Sequence, residues 1–229
     1  MVEKQLKAMF FNASPRKNKN TAQMLESAMK GAQEAGAEVE LIHLQDLNFK
    51  GCVSCFACKR KGNTCGGLCI QKDDLRPVLE RILQADVLVV GSPIYFAYPT
   101  GMFRNFIERL LFPILRYDKG EQPGTASKYI DKKMKTALIY TMNVTPEMYK
   151  QYGYETILGP DQRYMEMMFG SCEVLNAHNT WQFFPDYEKF DTSAVDLDSK
   201  QWYRDNQWPK DLQVAYELGK RLVEKTKEK

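Results

Sequence analysis

The chain has 229 residues, 44% hydrophobic and 27% charged, with a formal net charge of +3, a balance that suits a soluble globular fold. Lys and Arg are spread along it, and the one basic cluster, Lys128 to Lys135, reads as a solvated segment, so nucleic acid is not a natural partner. No apolar run approaches the ~20 residues of a membrane helix, and Lys4 and Lys7 interrupt any secretory core, so the expectation is a cytoplasmic protein with no membrane partner.

Leu6 to Asn12 is short, apolar and flanked by polar residues, as a buried first strand should be. A polar loop follows, and Asn20 or Thr21 is placed to cap a helix whose apolar positions run through Met24, Leu25, Ala28, Met29 and Ala32 to a stop at Gly36. Val39 to Leu44 alternates as a second strand nearer the sheet edge. Gly51 to Lys72 holds five of the six cysteines without periodicity and reads as a loop. Asp73 is placed to cap the next helix, and Ala85 to Gly91 is a continuous β-branched strand ended by Gly91-Ser92-Pro93. A helix from Thr100 to Leu111 is closed by Pro113, and residues 113–133 form an exposed connection. Lys135 to Tyr140 is the fourth strand, a helix lies near Gln162–Phe169, and Glu173 to Trp181 is the last strand. Residues 183–209 form an irregular aromatic excursion, and Leu212 to Val223 a final amphipathic helix.

Alternating strands and helices imply one α/β domain over residues 1–229, a doubly wound parallel sheet of five strands in the order 2-1-3-4-5 with helices on both faces. That order brings the ends of strands 1, 3 and 4 to a switch point, so the loops 13–21, 92–99 and 141–145 are expected to line one pocket. Ser14, Thr21 and the helix start suit an anion, and Arg16 adds a guanidinium fork. The loop lacks both GxGxxG and GK[ST], which disfavours NAD as a resident cofactor and ATP.

Four passages carry a resemblance: Ser14-Pro15-Arg16 with Asn20-Thr21, Gly51-Cys52 to Asp74, Gly91-Ser92-Pro93-Ile94-Tyr95-Phe96, and Phe106-Ile107-Glu108-Arg109. With these the sequence resembles the NADPH-dependent FMN reductases, a flavodoxin-like family, over roughly its first 145 residues. The resemblance implies noncovalent FMN, its phosphate held at Ser14, Arg16, Asn18, Asn20, Thr21 and Ala22. It places the ring along Pro93, Ile94, Tyr95 and Phe96, with Thr141, Met142 and Asn143 at its other edge. It also implies NAD(P)H as co-substrate, a small electron acceptor such as a flavin or quinone, and a homodimer. The alternatives are an FMN electron carrier without pyridine-nucleotide turnover, and a flavin-free binding protein. No catalytic acid or base is required, and His43 and His178 read as packed side chains.

Cys52, Cys55, Cys58 and Cys65 form a compact set similar to that of the iron–sulfur flavoproteins, which implies a possible [4Fe–4S] cluster. In the wider family the last cysteine precedes an Asp-Asp pair, as Cys69 does here before Asp73-Asp74. A metal-free loop of structural thiols and a zinc site are the competing readings. Met165, Met167, Met168 and Phe169 read as core or dimer packing, Cys172 as a buried thiol, and the aromatic excursion as packed on the domain or on a partner chain.

Overall fold

A computed structural model describes residues 5–117, 134–183 and 185–228. Its strands are β1 (Lys7–Asn12), β2 (Glu38–His43), β3 (Val87–Tyr95), β4 (Tyr98–Pro99), β5 (Lys135–Thr141) and β6 (Cys172–Ala177). Five of them lie parallel in the order β2-β1-β3-β5-β6, and β4 folds back antiparallel on the end of β3. The expected 2-1-3-4-5 order is present; the short hairpin strand changes only the numbering. The register aligns Asn12 with Gly91, and Pro93 with Thr141, so β1 and β5 end within two residues of one another on either side of β3, which runs on to Tyr95.

Helices cover both faces, because successive side chains of a strand point to opposite sides. Phe11 faces α2 (Leu75–Ile82), α3 (Gly101–Ile114) and α5 (Tyr154–Phe169), and stacks on Phe106 with ring centroids 4.7 Å apart. Phe10 faces the other core, formed with α1 (Asn20–Glu34) and α7 (Trp208–Lys227). These two helices touch through backbone. A Cβ added at Gly31 would lie 2.0 Å from the Tyr216 carbonyl oxygen, and one at Gly219 would lie 1.8 Å from that of Ala28. Each glycine is thus the hollow that receives the other helix.

Several boundaries differ from expectation, each for a local reason. Pro113 does not close α3 but sits in its last turn, where a proline removes a single helical bond. The carbonyls of Pro113 and Leu115 are instead taken by Lys59 Nζ at 3.1 and 2.6 Å. α5 is longer than expected and spans Pro160, because Leu158, Asp161, Met165 and Met168 bury one face and packing outweighs the lost bond. α7 begins at Trp208, which is buried, with Pro209 in its first turn. The region 183–209 is less irregular than expected and contains α6 (Leu197–Trp202) and a π turn at Tyr203–Gln207. β6 stops at Ala177; Asn179, at φ 48°, turns the chain across the strand ends. Residues 118–133 of the exposed connection, with most of the basic cluster, lie outside the described residues. A further helix, α4 (Pro146–Gln151), starts at the capping residue Thr145.

Candidate functional site

The ends of β1, β3 and β5 open onto one cleft of about 290 Å³, near the lower bound of ordinary ligand clefts. All three loops expected at the switch point line it, and a fourth segment, Thr180 to Phe183, closes it.

At the first loop, Ser14 is buried and receives order from both sides. Its backbone N–H donates to Asn12 Oδ1 at 2.9 Å, and its hydroxyl accepts from the Arg16 N–H at 3.1 Å. Asn12 is held in turn by His43 Nδ1 at 3.1 Å, so this histidine positions the loop from β2. The expected side-chain cap on α1 is absent. Lys19 occupies the cap position and makes no side-chain capping bond to the helix, and the first turn carries no acidic residue. Thr21 is engaged elsewhere, with Oγ1 2.7 Å from Thr141 Oγ1, and Asn20 Nδ2 donates to the Trp181 carbonyl at 2.9 Å. The opening turn of α1 therefore borders the cleft with the helix dipole behind it and, among the described residues, no side-chain cap or acidic residue of its own turn on its N–H groups.

The second loop is built on hydroxyls. Ser92 is fully buried and accepts from the Thr100 N–H at 3.1 Å, while Thr100 Oγ1 donates to the Ala13 carbonyl at 2.9 Å and accepts from the Phe103 N–H at 3.2 Å. One threonine thus caps α3 and ties the second loop to the first. Beyond it, β3 and β4 form a hairpin whose two turn residues, Phe96 and Ala97, both have positive φ, 49° and 71°. A two-residue turn needs this twist, and with no glycine there the backbone is strained. Pro93, Ile94 and Tyr95 line the cleft; Phe96 is 99% exposed at the tip and does not.

The third loop brings Thr141, Met142 and Asn143 to the opposite wall. It is stitched to the segment after β6: Met142 N–H donates to Ala177 O at 2.9 Å, Thr180 N–H to Met142 O at 3.0 Å, and Asn179 N–H to Val144 O at 2.9 Å. That segment then crosses to the first loop, where the Arg16 guanidinium donates to the Gln182 carbonyl.

Of the residues expected to bind a cofactor, Asn18 and Ala22 stand off the cleft with Phe96. Ala22 is wholly buried on the core-facing side of α1, and the Asn18 carbonyl accepts from Gln23 Nε2. Thr180, Gln182 and Phe183 line it unforeseen, because β6 was expected to run straight through to Trp181. Lys19 joins them from the helix start. The arrangement fits FMN: bare helix N–H groups and hydroxyls suit a phosphate dianion, and the exposed backbone and apolar edge of Pro93 to Tyr95 suit a flat heteroaromatic ring.

The cysteine loop is anchored separately. Asp73 does not cap α2; its carboxylate takes both terminal nitrogens of Arg109, at 2.7 and 3.0 Å, and Arg109 also donates to Lys50 O at 2.9 Å. Arg109 is 1% exposed, and its Nε has no hydrogen-bond partner among the described residues. Beside it, Cys52, Cys55, Cys58 and Cys69 line one small recess, and Cys65 lies off it. The four cysteines expected as cluster ligands are therefore not the four brought together. Burial pushes the Cys58 thiol above its ordinary range, away from the thiolate a metal requires. Among the described residues no three Cys, His, Asp or Glu side chains converge to share a metal ion, so the thiols as placed do not fit a cluster.

The remaining candidates are packed side chains. The His178 ring meets Tyr149 edge-on at 5.0 Å and burial lowers its pKa; Cys172 is buried and pushed up to about 12 for the same reason. No helix among the described residues is long and apolar enough to cross a membrane.

The model of the NADPH-dependent FMN reductase family matches residues 6–127. An iron–sulfur flavoprotein of Archaeoglobus fulgidus is 40% identical over 104 residues, 45% of this chain and 48% of that protein. The chain spans about half the length of the curated relatives it matches. A solved NAD(P)H:quinone oxidoreductase from Methanothermobacter marburgensis superposes with a TM-score of 0.66 at 17% identity, covering 96% of this chain and 100% of that one. An FMN-dependent NADH-azoreductase from Bacillus anthracis, solved with FMN, gives a TM-score of 0.62 at 12% identity, over 96% and 100% of the two chains. At these identities the solved structures share the fold.

Proposed function

The chain belongs to the NADPH-dependent FMN reductase family, and from that premise we propose that it is an FMN-dependent oxidoreductase drawing electrons from NAD(P)H and passing them to a small acceptor such as a flavin or quinone. The observation that carries the reading is the uncapped start of α1, facing a cleft walled by the ends of β1, β3 and β5.

In this reading Ser14, Asn20, Thr21 and the N–H groups of α1's first turn hold the phosphate. Arg16 donates one N–H to Gln182 O, and the same guanidinium fork has further N–H donors to offer the anion. Pro93 to Tyr95 orient the ring through backbone groups, and Thr141 to Asn143 close its other edge and exclude water. Bound FMN supplies the chemistry, taking a hydride from reduced nicotinamide and returning electrons to the acceptor. The protein's part is position and electrostatics, which agrees with a cleft that holds neither histidine. The aromatic tip formed by Tyr95, Phe96 and Tyr98 stands in solvent beside the cleft, and we assign it to contact with the acceptor or a second copy of the chain.

The test is reconstitution. Anaerobically purified protein is expected to show two flavin bands, or to take up added FMN with quenched fluorescence, and to oxidise NAD(P)H when a quinone is supplied. FMN uptake without nicotinamide turnover would leave an electron carrier, and no uptake would remove the reading. Flavin bands alone are expected from the dispersed thiols; a brown, bleachable shoulder would show that the cysteine loop gathers around iron.

A further inference from the structure

Lys200 lies in the C-terminal part of the chain, beyond the family-matched segment, yet it reaches the cleft from behind. It is 3% exposed, on α6, and its ammonium donates to the carbonyls of Asn143 at 3.0 Å and Thr180 at 3.3 Å. Both acceptors belong to residues that line the cleft, on its third loop and on the segment crossing from β6. Among the described residues Lys200 makes no ion pair.

Two carbonyls need only a neutral donor to be tied together. The same helix already supplies a neutral bond between these elements one residue away, where Asn179 Nδ2 donates to Ser199 Oγ at 3.0 Å. Burying an ammonium is far costlier than burying an amide or hydroxyl, so tethering alone does not account for a lysine here. What an ammonium adds is charge. The cleft wall carries Arg16 and Lys19 at the phosphate end, no carboxylate is among its described lining residues, and Lys200 stands behind the third loop.

We propose that Lys200 is an electrostatic positioning residue: it fixes a positive charge behind the wall made by Asn143 and Thr180, and so favours the reduced form of the bound flavin. Hydride transfer from reduced nicotinamide brings two electrons and one proton, leaving the ring one negative charge richer, and a low-dielectric wall transmits the attraction of a buried cation. The inference rests on the FMN reading above. Burial lowers Lys200 to about 8, which leaves it mainly protonated at neutral pH.

The experiment compares native protein with Lys200→Gln, which keeps a donor without charge, and Lys200→Arg, which keeps the charge. FMN affinity is read by fluorescence quenching and the two-electron potential by dye-equilibrated reductive titration. Lys200→Gln is expected to bind reduced FMN about tenfold less well relative to oxidised FMN, a potential lower by about 30 mV, and Lys200→Arg to restore it. Equal weakening of both redox forms, with the potential unmoved, would make Lys200 a mere bolt and overturn the charge role. Should Lys200→Gln not fold, Lys200→Arg still decides: a potential lowered by about 30 mV with the charge retained overturns the inference. Failure of native protein to take up FMN would instead refute the FMN reading itself.

Discussion

At Gly91 the absence of a side chain sets the position of α1, the helix that opens onto the cleft. A Cβ there would come within 2.8 Å of Leu25 Cδ1 and 2.9 Å of Thr21 Cγ2, so β3 and α1 meet with nothing between them at the first turn of the helix. Gly91→Ala is expected to destabilise the fold by ~1–3 kcal/mol in urea unfolding and to weaken FMN binding several-fold in fluorescence titrations. Full-strength binding in that variant would separate α1's seat from the phosphate site. Residues of this kind divide by what made them legible. Ser14, Thr21, Pro93 and Thr141 could be placed because a parallel-sheet strand announces its C-terminal end, and the topology then gathers those ends. Phe96 was over-read, since a local motif does not reveal that a tight hairpin turns its tip outward. Lys200 was invisible, because a lysine in an aperiodic stretch ordinarily reads as solvated and its two carbonyl partners lie 57 and 20 residues away in sequence.

Among the elements, the contact between α1 and α7 decides most. Gly31 and Gly219 let two helix backbones come together, and Lys220 Nζ reaches Glu34 Oε1 at 3.3 Å at its rim. Gly219→Ala is expected to cost ~3 kcal/mol or more, since the obstructing atom is backbone and cannot rotate away. Gly101→Ala, whose Cβ would meet nothing within 4 Å, serves as the control and should be neutral or slightly stabilising. Thermal unfolding of the two variants side by side checks both. Helix periodicity announced α1 and the body of α7 through their apolar stripes, but not that small residues on each would face one another. The extra turn at Trp208 and the whole of α6 were hidden because aromatic residues there serve long-range packing without a repeating local pattern.

For the molecule as a whole, Lys200 couples stability to pH in the alkaline range. Its buried ammonium gives up its proton near pH 8 in the native state, whereas the unfolded chain keeps it to the ordinary lysine value of 10.5. Between those limits the unfolded state binds more protons, so stability contributed at this site rises with pH. The difference between native and Lys200→Gln protein in urea unfolding should therefore grow across that window in favour of the native chain, by on the order of 3 kcal/mol; a difference independent of pH would place the ammonium in water. The α1–α7 seat has a last consequence, for synthesis. It joins positions 186 residues apart at Lys220 and Glu34, so the small-residue face of α1 leaves the ribosome long before its cover exists. A nascent chain can pair β1 with β2 and β3 while that face still lies open to chaperones. α1, whose first residues line the cleft, gains its backbone contact with α7 only once residues 208–227 have been made.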